Sequence, residues 1–145
     1  MDAGAVKNLI ENLIPFVKKT GVVVDELSPT KVKLRLPHDP SNLNPMGILH
    51  AGATFTLAET AAAALCVMAL PNVTFIGKGV DIKFKRPGRA DAFAVAQITP
   101  VDAQRIIDSA NRDGKMDAPI AVEVVDPTGE AIAIASVTMS VRRLG

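Results

Sequence analysis

The first third of the chain changes from a helical to an alternating pattern of apolar positions. Between residues 3 and 19 apolar side chains recur at helical spacing, which predicts an amphipathic helix that ends before Gly21. The positions are Val6, Leu9, Ile10, Leu13 and Ile14. From residue 31 the period is two, because Val32, Leu34 and Leu36 alternate with basic residues, and this predicts a half-buried strand. Residues 22–27 are expected to be its hairpin partner, with a turn at 28–30.

A polar loop over 37–49 separates this hairpin from a long apolar segment, which runs from His50 to Leu70. As a helix, that segment would be roughly 30 Å long. Its only charge between residues 51 and 71 is Glu59, and Ala, Thr and Gly outnumber the large apolar residues. A carboxylate near the middle of such a segment favours a buried helix over a membrane span.

The remainder of the chain is rich in predicted strands, which lie around 80–84, 91–98, 120–124 and 131–142. A short helix is predicted from Pro100 to Asn111, with Thr99 as its N-cap. A long helix that is apolar all round has to be surrounded. We therefore expect one α+β domain over residues 1–145, in which an antiparallel sheet curves around the helix. The exposed edges of such a sheet are commonly paired in a homo-oligomer.

Composition limits the classes of function. The net charge is +1, and the chain has no Trp, no Tyr and five Phe, which argues against nucleic acid as a partner. The single cysteine, Cys66, lies in an apolar run and is expected in the core. His38 and His50 have no paired spacing, so no metal site is expected. The N-terminus does not have the pattern of a signal peptide, so we expect a cytoplasmic protein without a membrane partner.

One segment carries recognisable chemistry: Asn44-Pro-Met-Gly-Ile-Leu-His50-Ala-Gly52-Ala-Thr-Phe-Thr-Leu-Ala-Glu59. It resembles the core motif of hotdog-fold acyl-CoA thioesterases, especially the phenylacetate-pathway and 4-hydroxybenzoyl-CoA types. In that motif an Asn or Gln lies fifteen positions before an acid, and a His lies nine before it, as Asn44 and His50 do here relative to Glu59. The resemblance implies a hotdog fold, a sheet wrapped around one long central helix.

The resemblance also implies roles for individual residues. Glu59 would be the general base or the nucleophile, the backbone amide of Ala51 would stabilise the oxyanion, and Asn44 would orient water or the carbonyl. His50 would help to bind the thioester or lock the loop. Structural alternatives stay open: Glu59 bonded to backbone amides, Asn44 in an Asx-turn, and His50 bonded to backbone at the helix start.

The acyl group would lie between subunits, beside the long helix. The candidate lining residues are Gly52, Phe55, Thr56, Thr60 and Ala63. The resemblance places the phosphates of coenzyme A near a strand break whose candidate residues are Lys85, Arg86, Gly88 and Arg89. The alternative for these cations is a solvated strand face.

Two positions depart from the family pattern: Ala51 replaces the usual Gly, and Ala63 replaces a Ser or Thr found in several relatives. The resemblance as a whole implies a thioesterase that needs no cofactor beyond the coenzyme A of its substrate and acts as a homodimer or tetramer. The alternative is a non-catalytic protein that binds acyl-CoA or fatty acid. A hotdog dehydratase is disfavoured, because residues 44–50 lack the His-Phe-Pro-Gly context of that class.

Overall fold

The computed structural model describes residues 2–145. In it, the apolar segment forms a central helix that packs against a six-stranded antiparallel sheet. The sheet curves around this helix and has the strand order β1-β2-β4-β5-β6-β3. The strands are β1 (Val23–Leu27), β2 (Lys31–Leu36), β3 (Val73–Phe84), β4 (Ala92–Gln97), β5 (Lys115–Val125) and β6 (Ala131–Arg143). The helices are α1 (Ala3–Asn8), α2 (Pro15–Lys18), α3 (Ala51–Ala69) and α4 (Pro100–Asp113). This architecture confirms the expected α+β hotdog fold.

Strand register decides which residues face α3. Leu34 pairs with Ala94, and Val137 pairs with Ile120. Residues directly opposite one another in a sheet share a face, and all four of these are buried. The concave face is therefore the apolar one. Helix α4 packs against β5 and β6, and its predicted cap is confirmed by the Asp102 amide, which donates to Thr99 Oγ1 at 3.1 Å.

The N-terminal segment differs from the single predicted helix. A π-helical turn (Leu9–Leu13) separates α1 from α2, and the Ile14 amide donates to the Leu9 carbonyl at 3.0 Å. The cause is Pro15, because the residue before a proline avoids the helical region and Ile14 is extended, with φ −88° and ψ 105°. As a result Leu13, one of the positions of the predicted apolar stripe, is 60% exposed.

Strand β3 is longer than its apolar pattern indicated. It begins at Val73, although alternation is visible only from Val80. The first half contains Gly77 and Gly79, where the pairing with β6 shifts register. Glycine has low strand propensity and marks bulges, which explains why the sequence pattern did not predict this half. β3 lies at one edge of the sheet, so its outer backbone groups have no partner strand among residues 2–145.

The expectation that α3 is covered on all sides was wrong for one stripe. Phe55 is 38% exposed, and Glu59, Ala63 and Val67 are only partly buried. These residues are spaced by four positions and so lie along one side of the helix. Helix α3 has the length and composition of a membrane span, but 56% of its most apolar window is buried inside the fold. Its place within the sheet accounts for that composition.

Candidate active site at the start of the central helix

His50 caps helix α3. Its Nδ1 accepts the Gly52 amide at 2.8 Å, and its carbonyl accepts the amides of Ala53 and Thr54. This is the alternative in which His50 is bonded to backbone. Because Nδ1 accepts, the hydrogen bond assigns the ring proton to Nε2. His50 is exposed, so it presents this N–H donor to the outside of the loop.

The Ala51 amide is the first helical N–H that remains available. No acceptor for it lies among residues 2–145, as is usual for the first turn of a helix. Ala51 has helical backbone angles, and its φ is negative. Alanine in place of the usual glycine therefore causes no backbone strain at this position. Free amides at a helix N-terminus favour a negative charge. The Ala51 amide can therefore serve as an oxyanion donor.

Asn44 forms an Asx-turn. Its Oδ1 accepts the amides of Met46 at 2.9 Å and Ile48 at 3.4 Å. This is the structural alternative for Asn44, but it uses the oxygen of the side chain only. The Nδ2 group has no acceptor within residues 2–145 and remains able to donate to a carbonyl oxygen.

A cleft of about 380 Å³, here called the first cleft, brings several expected residues together. Asn44 and Ala51 lie on one side, and Lys85, Arg86 and Gly88 lie on the other. Arg86 Nη1 is already paired with Glu130 Oε1 at 2.9 Å, whereas Lys85 has no ion pair among residues 2–145. The third expected cation, Arg89, is exposed and does not line this cleft.

Gly88 allows the loop after β3 to pack closely against Leu49 in the wall of the first cleft. The Leu49 amide donates to the Gly88 carbonyl at 2.9 Å. A Cβ on Gly88 would stand 2.8 Å from Leu49 Cδ1 and 3.0 Å from Leu49 Cβ. Gly88 is thus a close-packing position of the loop, and its role in phosphate binding stays a prediction.

Asn42 holds the loop from the opposite side and was not singled out from the sequence. Its carbonyl accepts the His50 amide at 2.8 Å. Its Nδ2 donates to the carbonyls of Thr20 at 2.8 Å and Pro37 at 3.1 Å, and the residue is 4% exposed. Asn42 therefore fixes the peptide that precedes Ala51. An Asn in a polar loop gives no sign of such a role in the sequence.

Glu59 lies apart from this cluster. It is eight residues beyond Ala51, or about 12 Å along the helix axis. Burial raises the pKa of its carboxyl. None of residues 2–145 donates a hydrogen bond to this carboxyl or forms an ion pair with it. Backbone amides of residues 2–145 therefore do not satisfy Glu59, and that structural alternative does not apply to the described residues. Gly77 of β3 faces it, since a Cβ there would lie 3.6 Å from Glu59 Oε1.

The expected acyl-lining residues fall in different places. Phe55 and Ala63 lie with Glu59 on the uncovered stripe of α3. Thr60 instead points into the core, where it is 4% exposed and its hydroxyl has no partner within the described residues. Gly52 and Thr56 line a second cleft, and Thr56 Oγ1 donates to the Gly52 carbonyl at 2.9 Å.

The second cleft has a volume of about 280 Å³ and opens on the other side of the start of α3. Besides Gly52 and Thr56, it is lined by His50 and by two residues of the N-terminal segment, Phe16 and Lys19. Neither was singled out from the sequence. The first cleft is also lined by Thr54, which was not singled out from the sequence. Thr54 is three residues after Ala51, and this helical spacing places both on the same side of α3.

Other reactive groups do not form a site. Burial raises the pKa of the Cys66 thiol to about 12, so it stays protonated and unreactive. Within residues 2–145, no three His, Cys, Asp or Glu side chains come close enough together to hold a metal ion.

Residues 3–141 match the protein family described as "Domain of unknown function (DUF4442)". A Pseudomonas aeruginosa protein of unknown function, described as a probable thioesterase, is 28% identical with a TM-score of 0.92, over 98% of this chain and 96% of its own. A Haemophilus influenzae thioesterase is 18% identical with a TM-score of 0.77, over 99% and 92%. A second Pseudomonas aeruginosa thioesterase, a mutant form, is 21% identical with a TM-score of 0.77, over 99% and 96%. The two more distant proteins share the fold.

Proposed function

Since the chain belongs to the family described as "Domain of unknown function (DUF4442)" and has the hotdog fold of its thioesterase neighbours, we propose that it hydrolyses an acyl-CoA to a free acid and coenzyme A. The neighbours support thioesterase function in general. The observation that carries the finer proposal is Glu59, a partly buried carboxylate without a hydrogen-bond partner in residues 2–145 and with a raised pKa. A carboxylate in that state is suited to act as a base near neutral pH.

The site requires two copies of the chain. Glu59 and the Ala51 amide are about 12 Å apart along one helix, too far to act on the same carbonyl. A second copy could bring its own Ala51 to the Glu59 of the first. The uncovered stripe of α3 and the unpaired edge of β3 offer a surface for that pairing. We therefore propose a homodimer, alone or as half of a tetramer.

Two chemical routes fit this arrangement. In the first, Glu59 takes a proton from water, and the resulting hydroxide attacks the thioester carbon. In the second, Glu59 attacks directly and forms a mixed anhydride, which water then hydrolyses. In both routes the carbonyl oxygen becomes an oxyanion that accepts from the Ala51 amide and Asn44 Nδ2. The carbon–sulfur bond then breaks, and the thiolate of coenzyme A takes up a proton.

The first cleft would hold the coenzyme A portion. Lys85 is the available cation, and Arg86 could exchange Glu130 for a phosphate. Arginine and lysine both bind phosphate well. Arg89 is close in sequence but outside the cleft, so we assign it at most a contact with the outer phosphates. We also propose a cytoplasmic location, where coenzyme A thioesters occur and a lone cysteine stays reduced.

Thiol release from a panel of short, long and aromatic acyl-CoAs tests the proposal. Glu59→Gln should reduce kcat by at least about 100-fold, the usual contribution of a general base. Glu123→Gln is the matched control, because Glu123 is exposed on β5. Equal rates for Glu59→Gln and wild type on every good substrate would exclude the assignment. A single turnover in ¹⁸O-labelled water tests the nucleophilic route, because only attack of water on the Glu59 carbon of the mixed anhydride places label in Glu59.

A non-catalytic acyl-CoA binding protein is the second candidate, and Ala63 favours it. Several relatives in the resembled families have a hydroxyl at that position, and the neighbouring hydroxyl of Thr60 is directed into the core. Stabilisation of the wild-type protein by acyl-CoA, with no thiol release from any substrate, would support this function over hydrolysis.

A further inference from the structure

The second cleft has a chemical character that the proposed hydrolysis does not use. Its walls are apolar at Phe16, Leu43 and Ala53, and it carries one cation, Lys19, and no carboxylate. The ring of Phe16 is 66% exposed, because Pro15 and the π-helical turn before it direct this part of the N-terminal segment outward. An aromatic side chain held in water beside a cleft is available to a ligand.

Two donors of the second cleft remain available, Lys19 Nζ and His50 Nε2–H, beside several polar oxygens that can only accept. The hydroxyl protons of Thr20, Ser41 and Thr56 are already donated to Val17, Asp39 and Gly52. Both protons of Asn42 Nδ2 are also in use, which leaves its Oδ1 as an acceptor. Lys19 has no ion pair within residues 2–145, and His50 presents Nε2–H because Nδ1 caps the helix.

The second cleft lies on the side of α3 that carries Glu59. Thr56 lies at its edge and three residues before Glu59, which places both on the same side of α3. From Glu59 to Gly52, the helix covers about 10 Å. An acyl chain whose carbonyl is attacked at Glu59 could therefore run along α3 towards the N-terminus and end between Phe16 and Lys19.

We propose that the second cleft selects acyl groups that end in a carboxylate, with Phe16 packing on the chain and with Lys19 and His50 Nε2–H binding the terminal acid. The inference rests on the proposed function, since it assigns the acyl end of that substrate. An apolar wall combined with a cation and a neutral donor, without an acidic side chain, is complementary to an ω-carboxyacyl chain. With an unsubstituted chain, both exposed donors would stay bonded to water and would contribute no charge-assisted hydrogen bond to the ligand.

Binding of two non-hydrolysable thioethers, S-(5-carboxypentyl)-CoA and S-hexyl-CoA, tests the proposal by calorimetry. The two share coenzyme A and chain length, so the ratio of their Kd values reports the terminal carboxylate alone. Wild type should bind the carboxylated analogue about 5-fold more tightly, as expected for an exposed ion pair. Lys19→Met should abolish that preference, and Lys19→Arg should retain it. Lys18→Met is the matched control, because Lys18 is exposed and does not line the cleft.

Each outcome decides the matter. A preference that persists in Lys19→Met, or equal binding of both analogues by wild type, overturns the proposal. Lys19→Met weakening both analogues equally would mean that Lys19 holds the nucleotide, and this also overturns it. Because the analogues are not hydrolysed, the result is independent of Glu59. If Glu59→Gln abolishes thiol release but wild type binds both analogues equally, only the proposal for the second cleft fails. If neither analogue binds, the proposed function fails as well.

Discussion

The Leu49 side chain packs where a side chain on Gly88 would have to stand. An added Cβ would approach Leu49 Cγ to 3.1 Å and Leu49 Cδ1 to 2.8 Å, while the Leu49 amide is held by the Gly88 carbonyl at 2.9 Å. The rest of the leucyl side chain could rotate, but its Cβ, 3.0 Å from the added atom, is fixed by the backbone. The contact joins the loop after β3 to the two residues that precede Ala51.

Gly88→Ala should therefore destabilise the fold by about 1–3 kcal/mol, as overpacking usually does, and lower kcat/KM for acyl-CoA by moving the Ala51 amide. Gly4→Ala is the matched control, because Gly4 lies in a helix where a Cβ finds only Asp2 Oδ1 at 3.4 Å. Urea unfolding and thiol release measure the two effects. Unchanged stability and activity in Gly88→Ala would show that the loop has another packing available.

Asn42 should be among the polar residues most sensitive to substitution. Asn42→Ala leaves the carbonyls of Thr20 and Pro37 without their donor, and we expect a loss of about 2–4 kcal/mol in the free energy of unfolding. Asn42→Asp should be no better, because a carboxylate cannot donate to either carbonyl. Asn12→Ala, an exposed Asn bonded to Asn8, should change stability by less than about 0.5 kcal/mol. Urea denaturation compares the three variants.

His50 has a capping role that can be separated from any role in catalysis. His50→Ala removes the acceptor of the Gly52 amide and should lower the free energy of unfolding by about 1 kcal/mol. His50→Asn keeps a good N-cap, so its stability should stay within a few tenths of a kcal/mol of wild type. Thiol release from His50→Asn then reports the Nε2–H donor alone. Equal stability of the Ala and Asn variants would contradict the capping role.

Most of the fold followed from the sequence because period and burial are coupled. The alternation of Val32, Leu34 and Leu36 with basic residues matches a strand whose inner face is fully buried. Helix α3 was recognisable from a single charge in a long apolar segment. The first half of β3 was not recognisable, since its glycines and Lys78 carry no alternating signal, and its place beside β6 depends on long-range pairing.

The sequence predicts a set of candidate site residues but not their geometry. The spacing of Asn44, His50 and Glu59 identified the segment, and the structure brings Asn44 and Ala51 to one cleft with Lys85. The rise per residue of a helix already implies that Glu59 is far from Ala51. The role of Asn42, by contrast, depends on three carbonyl and amide partners from separate segments, and no local pattern encodes such contacts.

The raised pKa of Glu59 predicts a specific dependence of stability on pH. Burial raises the folded-state pKa above its ordinary value of 4.5, so the folded protein binds this proton more tightly than the unfolded chain does. Stability from this group is therefore fully present below pH 4.5 and is lost as the pH rises through the folded-state pKa. Glu59→Gln should gain stability over wild type across that window and keep a constant advantage above it.

Urea unfolding of wild type and Glu59→Gln at a series of pH values measures this difference. In the same window, kcat/KM of wild type should rise with pH, because the deprotonated carboxylate is the active form in either chemical route. A stability difference that does not vary with pH would contradict the raised pKa of Glu59.

The ion pair between Arg86 and Glu130 should restrict the binding of coenzyme A. The two side chains meet at 2.9 Å and are 57% and 52% exposed, so the pair contributes little to stability. Glu130→Gln would leave Arg86 free for phosphate, and we expect KM for acyl-CoA to fall about 2–5-fold at low ionic strength with kcat unchanged. The advantage should disappear in high salt, where exposed charges are screened. Glu123→Gln removes the same charge elsewhere on the surface and should have no such effect. A higher KM in Glu130→Gln would instead mean that Glu130 holds Arg86 in the position that binds phosphate.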